Sequence, residues 1–108
     1  MVRFTEENWN RFRRGKKTTI RTHCLRYGEH NVYGGARYKP KKLGRISVSG
    51  AKVKETRDLT EEDAHNDGFA CRDDLLLELG RRNPLLDSRD EIVIHQVKVV
   101  EDLLTEAA

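Results

Sequence analysis

Residues 9–21 decide the fold: they read WNRFRRGKKTTIR and predict a short helix that leads into a strand. Thr5 is a suitable N-cap for this helix, because its side-chain oxygen can accept a hydrogen bond from the first turn. The helix is predicted to run to about Arg14, and Gly15 predicts its end. Residues 18–22 are rich in β-branched side chains, which indicates a strand.

The rest of the chain predicts two further strands and two further helices. Strand patterns cover residues 45–58 and 91–100, and the second is expected to be buried on both faces near its middle. Thr60 and Asp63 have the spacing of a capping box that opens a helix to about Asn66, and a leucine-bearing helix is predicted from Arg72 to Arg82. The three strands should lie in one curved sheet with the helices packed on its outside or end.

Residues 26–44 are predicted to form a long, basic loop. Four glycines and one proline interrupt any regular pattern there: Gly28, Gly34, Gly35, Pro40 and Gly44.

Length and composition predict a single domain over residues 1–108, with a core at about 4–100 and a frayed acidic tail at 101–108. No apolar run approaches the roughly 18 residues of a membrane span, and no signal peptide is recognised, so a cytoplasmic location is expected. Cys24 and Cys71 are expected to be free thiols. No Cys-x-x-Cys or His-x-x-x-His spacing indicates a metal site, and no cofactor is expected.

Charge is distributed very unevenly along the chain. Residues 1–54 carry 15 Lys/Arg and 3 Asp/Glu, whereas residues 55–108 carry 6 and 15. Six of the seven aromatic residues also lie in the first half. Cations mixed with flat rings are typical of surfaces that bind RNA or nucleotides, although the acidic half can also neutralise the basic half within the fold. The candidate binding residues are Arg14, Arg21, Arg37, Tyr38, Lys41 and Lys42.

Two blocks together resemble the activating-signal-cointegrator homology (ASCH) domain. The first is Trp9 and Phe12 followed by residues 15–21; the second is residues 58–64 followed by residues 67–69. The resemblance covers roughly residues 4–98. It implies an α+β fold: a small β-barrel related to the pseudouridine-synthase-and-archaeosine-transglycosylase (PUA) module, with two to three short helices at its rim. It also implies a cleft that binds RNA or a modified nucleotide.

Some small bacterial relatives hydrolyse the acetyl group of N-acetylcytidine with a lysine, a threonine and a glutamate. The resemblance implies Thr19 as nucleophile and places Asp67, one methylene shorter, at the glutamate position. Lys17 satisfies the spacing to the glycine and Lys16 the spacing to Arg21, so both remain candidates for the lysine. One of these lysines, Thr19, Arg21 and Asp67 should then converge on one pocket.

Three functions therefore stay open. The first is binding of RNA or a modified nucleotide, which the shifted lysine and shortened carboxylate favour. The second is an amidohydrolase acting on an acylated nucleoside, and the third is a metal-assisted ribonuclease. The sequence does not predict an oligomeric state.

Overall fold

The computed structural model describes residues 2–36 and 38–104, and within them one five-stranded sheet is flanked by short helices. The strands are β1 (Val2–Arg3), β2 (Thr18–Arg21), β3 (Gly28–Ala36), β4 (Lys39–Glu55) and β5 (Glu91–Asp102). The helices are α1 (Glu6–Asn10), α2 (Glu61–Asn66) and α3 (Arg72–Arg82), with 3₁₀ turns at Arg11–Arg14 and Thr56–Asp58.

The sheet has the order β1-β3-β4-β5-β2, and only β1 and β3 pair in parallel. The register of β4 shifts once against β3 and twice against β5, and such bulges increase local bending and twist. The sheet therefore curls, and Arg21 Nη2 on edge strand β2 donates to the Arg3 carbonyl oxygen on edge strand β1 at 2.9 Å. The α+β prediction is confirmed: the molecule is a curled half-barrel consistent with a small PUA-like barrel.

The predicted loop over residues 26–44 is wrong, because most of it forms the hairpin of β3 and β4. Val32 and Leu43 are fully buried in this hairpin, so tertiary packing outweighs the glycine signals. Gly44 marks a close approach of two chain segments: its φ is 155°, and a Cβ there would lie 2.0 Å from the Glu101 carbonyl oxygen. Because glycine has no side chain, the backbone of β5 can approach β4 closely at this position.

Most of the other predicted elements are confirmed. Thr5 caps α1 by accepting from the Asn8 N–H, and the helical segment ends at Gly15 in the left-handed region. The capping box of Thr60 and Asp63 is present, and α3 has the predicted bounds. None of the helices in the described part of the chain has the length and apolar character that a membrane span requires.

Two strand predictions need correction at their ends. The strand predicted over residues 45–58 stops at Glu55, because residues 56–58 turn into a 3₁₀ helix. The last strand runs to Asp102, so Glu101 and Asp102 pair with β4 instead of fraying. Its middle is buried on both faces as predicted. Of the predicted tail, residues 105–108 lie outside the described residues.

The interior contains two apolar clusters on different sides of the curled sheet. We call the first the barrel cluster: Val2, Phe4, Trp9, Val32, Leu43, Ile46, Val48 and Val97. We call the second the helix cluster: Ile20, Leu59, Ala64, Phe69, Leu75, Leu79, Ile92 and Ile94. Strands β2 and β5 contribute to the region between them, where the candidate site lies.

Candidate functional site

A buried polar trio, Lys16, Thr18 and Asp67, lies between the two apolar clusters. Lys16 Nζ lies 2.9 Å from Asp67 Oδ1 and donates to the Asp67 carbonyl oxygen at 3.2 Å. The Thr18 hydroxyl donates to the same Oδ1 at 3.0 Å. The Lys17 N–H donates to the Asn66 carbonyl at 2.6 Å, which fixes the start of β2 against the end of α2. This backbone contact brings together residues that are about 50 positions apart.

Burial dominates the electrostatics of the Lys16–Asp67 pair. It lowers the pKa of Lys16 and raises the pKa of Asp67, because each charge loses its hydration. The attraction between the two groups and their hydrogen bond act in the opposite direction. The Lys16 amine also lies 5.6 Å from the centre of the Phe12 ring. Burial therefore brings the pKa values of the two groups closer together than in a surface ion pair.

Arg21 lies on the other face of β2 and is held by the barrel cluster. Its guanidinium carbon is 4.9 Å from the centre of the Phe4 ring, and Nη2 is fixed by the Arg3 carbonyl. Its Nε is buried and has no hydrogen-bond partner. Burial first, and the charge of Arg82 second, lower the pKa of Arg21 to about 10. Arg21 is therefore a cation that lacks a full set of partners.

Two cavities flank Arg21 and Arg82, and both arginines line both of them. The first, of about 470 Å³, is also lined by Arg3, Phe4, Thr5 and Gly35. The second, of about 240 Å³, is also lined by Ile20, Thr22, His23, Leu79 and Asn83. We call these two cavities together the Arg21 cleft. Lys16, Thr18 and Asp67 line neither cavity, but the Lys16 amine lies 6.0 Å from the centre of the Phe4 ring, which forms part of the wall of the first.

Arg82 is the functional candidate that the sequence analysis missed. It follows Leu75 and Leu79 at seven and three residues, so it lies on the same side of α3 as these buried leucines, although Arg82 itself is exposed. That spacing was the available signal, because a cation at the end of an apolar helix face points toward whatever the helix covers.

The predicted catalytic residues converge only in part. Lys16 and Asp67 meet, whereas Lys17 is exposed and makes no ion pair among the described residues. Thr18, not Thr19, is bonded to Asp67, because adjacent strand residues face opposite sides. Thr19 is buried on the face that also carries Arg21, and the structure shows no hydrogen bond to its hydroxyl within residues 2–36 and 38–104.

His95 on β5 ties Thr19 to the loop that follows β2. Its Nδ1 lies 3.2 Å from the Thr19 carbonyl oxygen and its Nε2 accepts from the Leu25 N–H at 2.9 Å. Because Nε2 accepts, Nδ1 carries the proton and the ring is neutral. Burial, and then the charges of Arg21, His23 and His30, lower the pKa of His95.

The predicted basic surface is partly neutralised by acidic residues. Lys41 lies 3.5 Å from Glu6, and Lys42 lies 3.9 Å from Glu101. Tyr38 is 92% exposed. Arg14 lines a separate cavity of about 450 Å³, whose other charged lining residues are Glu7, Arg11, Asp74, Glu78 and Arg81. Arg37 lies outside the described residues.

Metal and thiol chemistry receive little support from the geometry. No group of three or more His, Cys, Asp or Glu side chains within residues 2–36 and 38–104 is arranged to hold a metal ion. Cys24 and Cys71 are both free thiols, as predicted.

Comparison with known proteins gives a likeness of fold. No family model matches the chain, and no curated protein matches it. The chain is similar to the crystal structure of protein EF3133 from Enterococcus faecalis V583, which carries the family model DUF984. The TM-score is 0.61 at 11% sequence identity, and the match covers 96% of this chain and 76% of that chain. The half-barrel and its helices are thus an architecture already seen in a solved structure.

Proposed function

We propose that this chain is an ASCH-type, PUA-like protein that binds RNA or a modified nucleotide in the Arg21 cleft. The observation that carries the proposal is the presence of Arg21 and Arg82 in the walls of the same two cavities. The family of the structural neighbour, DUF984, lies in the ASCH/PUA-like superfamily, and this supports the choice of ligand class.

The chemistry of Arg21 fits such a ligand. An arginine presents a planar fork of N–H donors that suits phosphate oxygens, and its flat face stacks on bases. Contact with Phe4 and the Arg3 carbonyl holds the guanidinium in one orientation. A side chain that is already fixed loses little entropy when a ligand binds.

Binding is favoured over hydrolysis by the position of the trio. The Lys16 side chain has 0% exposure, and neither Lys16 nor Asp67 lines the Arg21 cleft. A general base must come within hydrogen-bond reach of the reacting group, directly or through one water. A bound nucleotide would contact the arginines first, with the trio behind them.

An amidohydrolase is the second candidate, because the pKa values of Lys16 and Asp67 are shifted and both residues lie close to Thr18 and Thr19. A buried lysine whose pKa is lowered can act as a base toward a hydroxyl, and perturbed groups beside a cleft are often functional. In this candidate Lys16 takes the proton of the Thr18 or Thr19 hydroxyl, and the threonine oxygen attacks the acetyl carbonyl so that cytidine leaves with that proton. Water then hydrolyses the acetyl ester of the threonine and releases acetate. No observation among the described residues favours the ribonuclease.

Titration with labelled single-stranded RNA and with nucleotides tests the binding proposal. Arg21→Gln should weaken binding by about 10- to 100-fold, the range expected when a hydrogen bond to a charged group is lost. Arg14→Gln, which removes an exposed arginine from the other cavity, is the matched control and should retain binding. Affinity should also fall as salt rises. Absence of binding at low salt, or an equal loss in both variants, would contradict the proposal.

Incubation with N-acetylcytidine tests the second candidate. Release of cytidine and acetate that is lost in Lys16→Met, and in Thr18→Val or Thr19→Val, would establish hydrolysis and identify the threonine. If a preparation that binds nucleotides releases no cytidine or acetate, the amidohydrolase candidate is excluded and the binding function remains.

A further inference from the structure

We infer that Arg82, together with Arg21 and Arg3, forms a phosphate seat in the larger cavity, so that the ligand is a nucleotide and not a nucleoside. The inference rests on the proposed function and narrows its ligand class to molecules that carry a phosphate group. It assigns to Arg82 the role of a specificity-determining residue.

The larger cavity has three arginines in its wall and no acidic residue. Its lining is Arg3, Phe4, Thr5, Arg21, Gly35 and Arg82. The smaller cavity, on the other side of Arg21 and Arg82, has no acidic lining residue either. By contrast, the cavity that Arg14 lines mixes three arginines with Glu7, Asp74 and Glu78. The difference matters because like charges that converge on a cavity without a carboxylate attract an anion from solution.

Arg3 and Arg21 form no ion pair within residues 2–36 and 38–104, whereas Arg82 pairs through Nε with Glu78, a carboxylate that it shares with Arg81. Several other described cations also have acidic partners. Ion pairs join Lys41, Arg45, Lys54 and Arg57, among others, to carboxylates within 4.0 Å. Asp67 is the carboxylate whose field reaches both Arg21 and Arg82, but it is already bonded to Lys16 and Thr18. Arg3 and Arg21 therefore keep positive charge that no described ion pair cancels, and Arg82 adds terminal nitrogens that its pairing with Glu78 leaves unused.

Hydrogen-bond donors for an oxyanion are also available. Arg21 uses Nη2 for the Arg3 carbonyl, and no described residue accepts a hydrogen bond from its Nη1; its Nε is also unpartnered but is buried. Arg82 uses Nε for Glu78 Oε1 at 3.0 Å, and the described residues accept no hydrogen bond from its terminal nitrogens. Arg3 donates through Nη2 to the Gly35 carbonyl. Thr5 accepts from the Asn8 N–H, so its own hydroxyl proton is free to be donated.

The size of the cavity fits more than a phosphate alone. Its volume of about 470 Å³ falls within the range of about 300–1,000 Å³ that is usual for small-molecule sites. The Phe4 ring in its wall offers an apolar surface beside the arginines. A phosphate held by the arginines would leave room for the sugar.

The test is a calorimetric titration of the full chain with cytidine, cytidine 5′-monophosphate and inorganic phosphate. The monophosphate should bind at least about tenfold more tightly than the nucleoside, and Arg82→Gln should remove that preference. Arg81→Gln is the matched control: Arg81 is the neighbouring residue, shares Glu78 with Arg82 and lines the other cavity. It should keep the preference. Arg82→Lys keeps a charge but not the planar fork of donors, so it should retain only part of the preference for the monophosphate.

A short RNA with a 5′-phosphate, compared with the same RNA ending in a 5′-hydroxyl, distinguishes an RNA end from a free nucleotide. Tighter binding of the phosphorylated RNA supports a seat for the RNA end, whereas a preference seen only with the monophosphate supports a seat for free nucleotides. Thermal unfolding of each variant verifies that it is folded.

The seat is overturned if nucleoside and monophosphate bind equally to the wild-type chain, or if Arg82→Gln keeps the preference; the proposed function survives either result. If inorganic phosphate binds in an Arg82-dependent way but no nucleotide or RNA does, the seat stands and the proposed function fails.

Discussion

The two apolar clusters and the polar trio between them are equally buried but stabilise the fold in different ways. Each residue of the barrel and helix clusters contributes through apolar area removed from water, about 25 cal/mol per Å². Lys16 and Asp67 must instead recover the cost of removing two charges from water, and a buried ion pair often contributes no more than apolar residues of the same volume. Stability alone therefore does not account for the trio.

The largest effect should follow from breaking the trio at Asp67. Asp67→Asn leaves the Lys16 ammonium buried without a carboxylate, and loss of one partner of a buried pair costs about 3–5 kcal/mol. The free energy of unfolding, measured in urea, should fall by that amount. The double variant Lys16→Met with Asp67→Leu should recover most of the loss. A single variant within about 1 kcal/mol of wild type, or a double variant no better than the single one, would contradict this account.

The helix cluster should respond next, and through stability alone. Leu75→Ala removes a side chain that is 1% exposed and should cost about 2–5 kcal/mol, as cavity-forming substitutions do. Leu77→Ala, on the same helix but 75% exposed, is the control and should change stability by less than about 0.5 kcal/mol. Below its unfolding temperature, Leu75→Ala should bind RNA with the affinity of wild type. If the folded Leu75→Ala variant binds RNA more weakly than wild type, the helix cluster and the Arg21 cleft are coupled.

The same contrast explains how far the sequence could predict the molecule. Local signals were sufficient for the cap at Thr5, the capping box at Thr60 and the bounds of α3, because each of these depends on a few neighbouring residues. Strand β3 and the first residues of β4 were not predicted, because their glycines favour a loop locally and only pairing within the sheet makes these residues strands.

The candidate site also contains features that could be predicted from the sequence and features that could not. The family resemblance implied that Asp67 and one of two lysines would meet, and Lys16 contacts Asp67. Which threonine joins them depends on the side of β2 that faces the helices, and the resemblance implied Thr19 where the fold places Thr18. The spacing from Leu75 and Leu79 places Arg82 on the apolar side of α3, but it does not show which cavity that side of the helix borders.

The smallest expected effect concerns His95, the neutral histidine that links Thr19 to Leu25. In the unfolded chain a histidine has a pKa of about 6.5, and burial lowers the pKa of His95 in the folded chain. The unfolded state therefore binds the proton more readily, so stability is full above about pH 6.5 and is lost as the pH falls below it. The loss should be about 1 kcal/mol, the usual net contribution of one hydrogen bond.

The bond at stake is the one from the Leu25 N–H to His95 Nε2, because a protonated Nε2 cannot accept it. Leu25 lies in the loop that follows Arg21, so acid should loosen one side of the Arg21 cleft as well as lower stability. Urea unfolding at several pH values between about 5 and 7 measures the effect. His95→Gln should flatten the dependence, since an amide does not titrate, while His65→Gln, which changes an exposed histidine, should preserve it. An unchanged slope in His95→Gln would assign the pH dependence to other groups and would leave His95 as a purely structural contact.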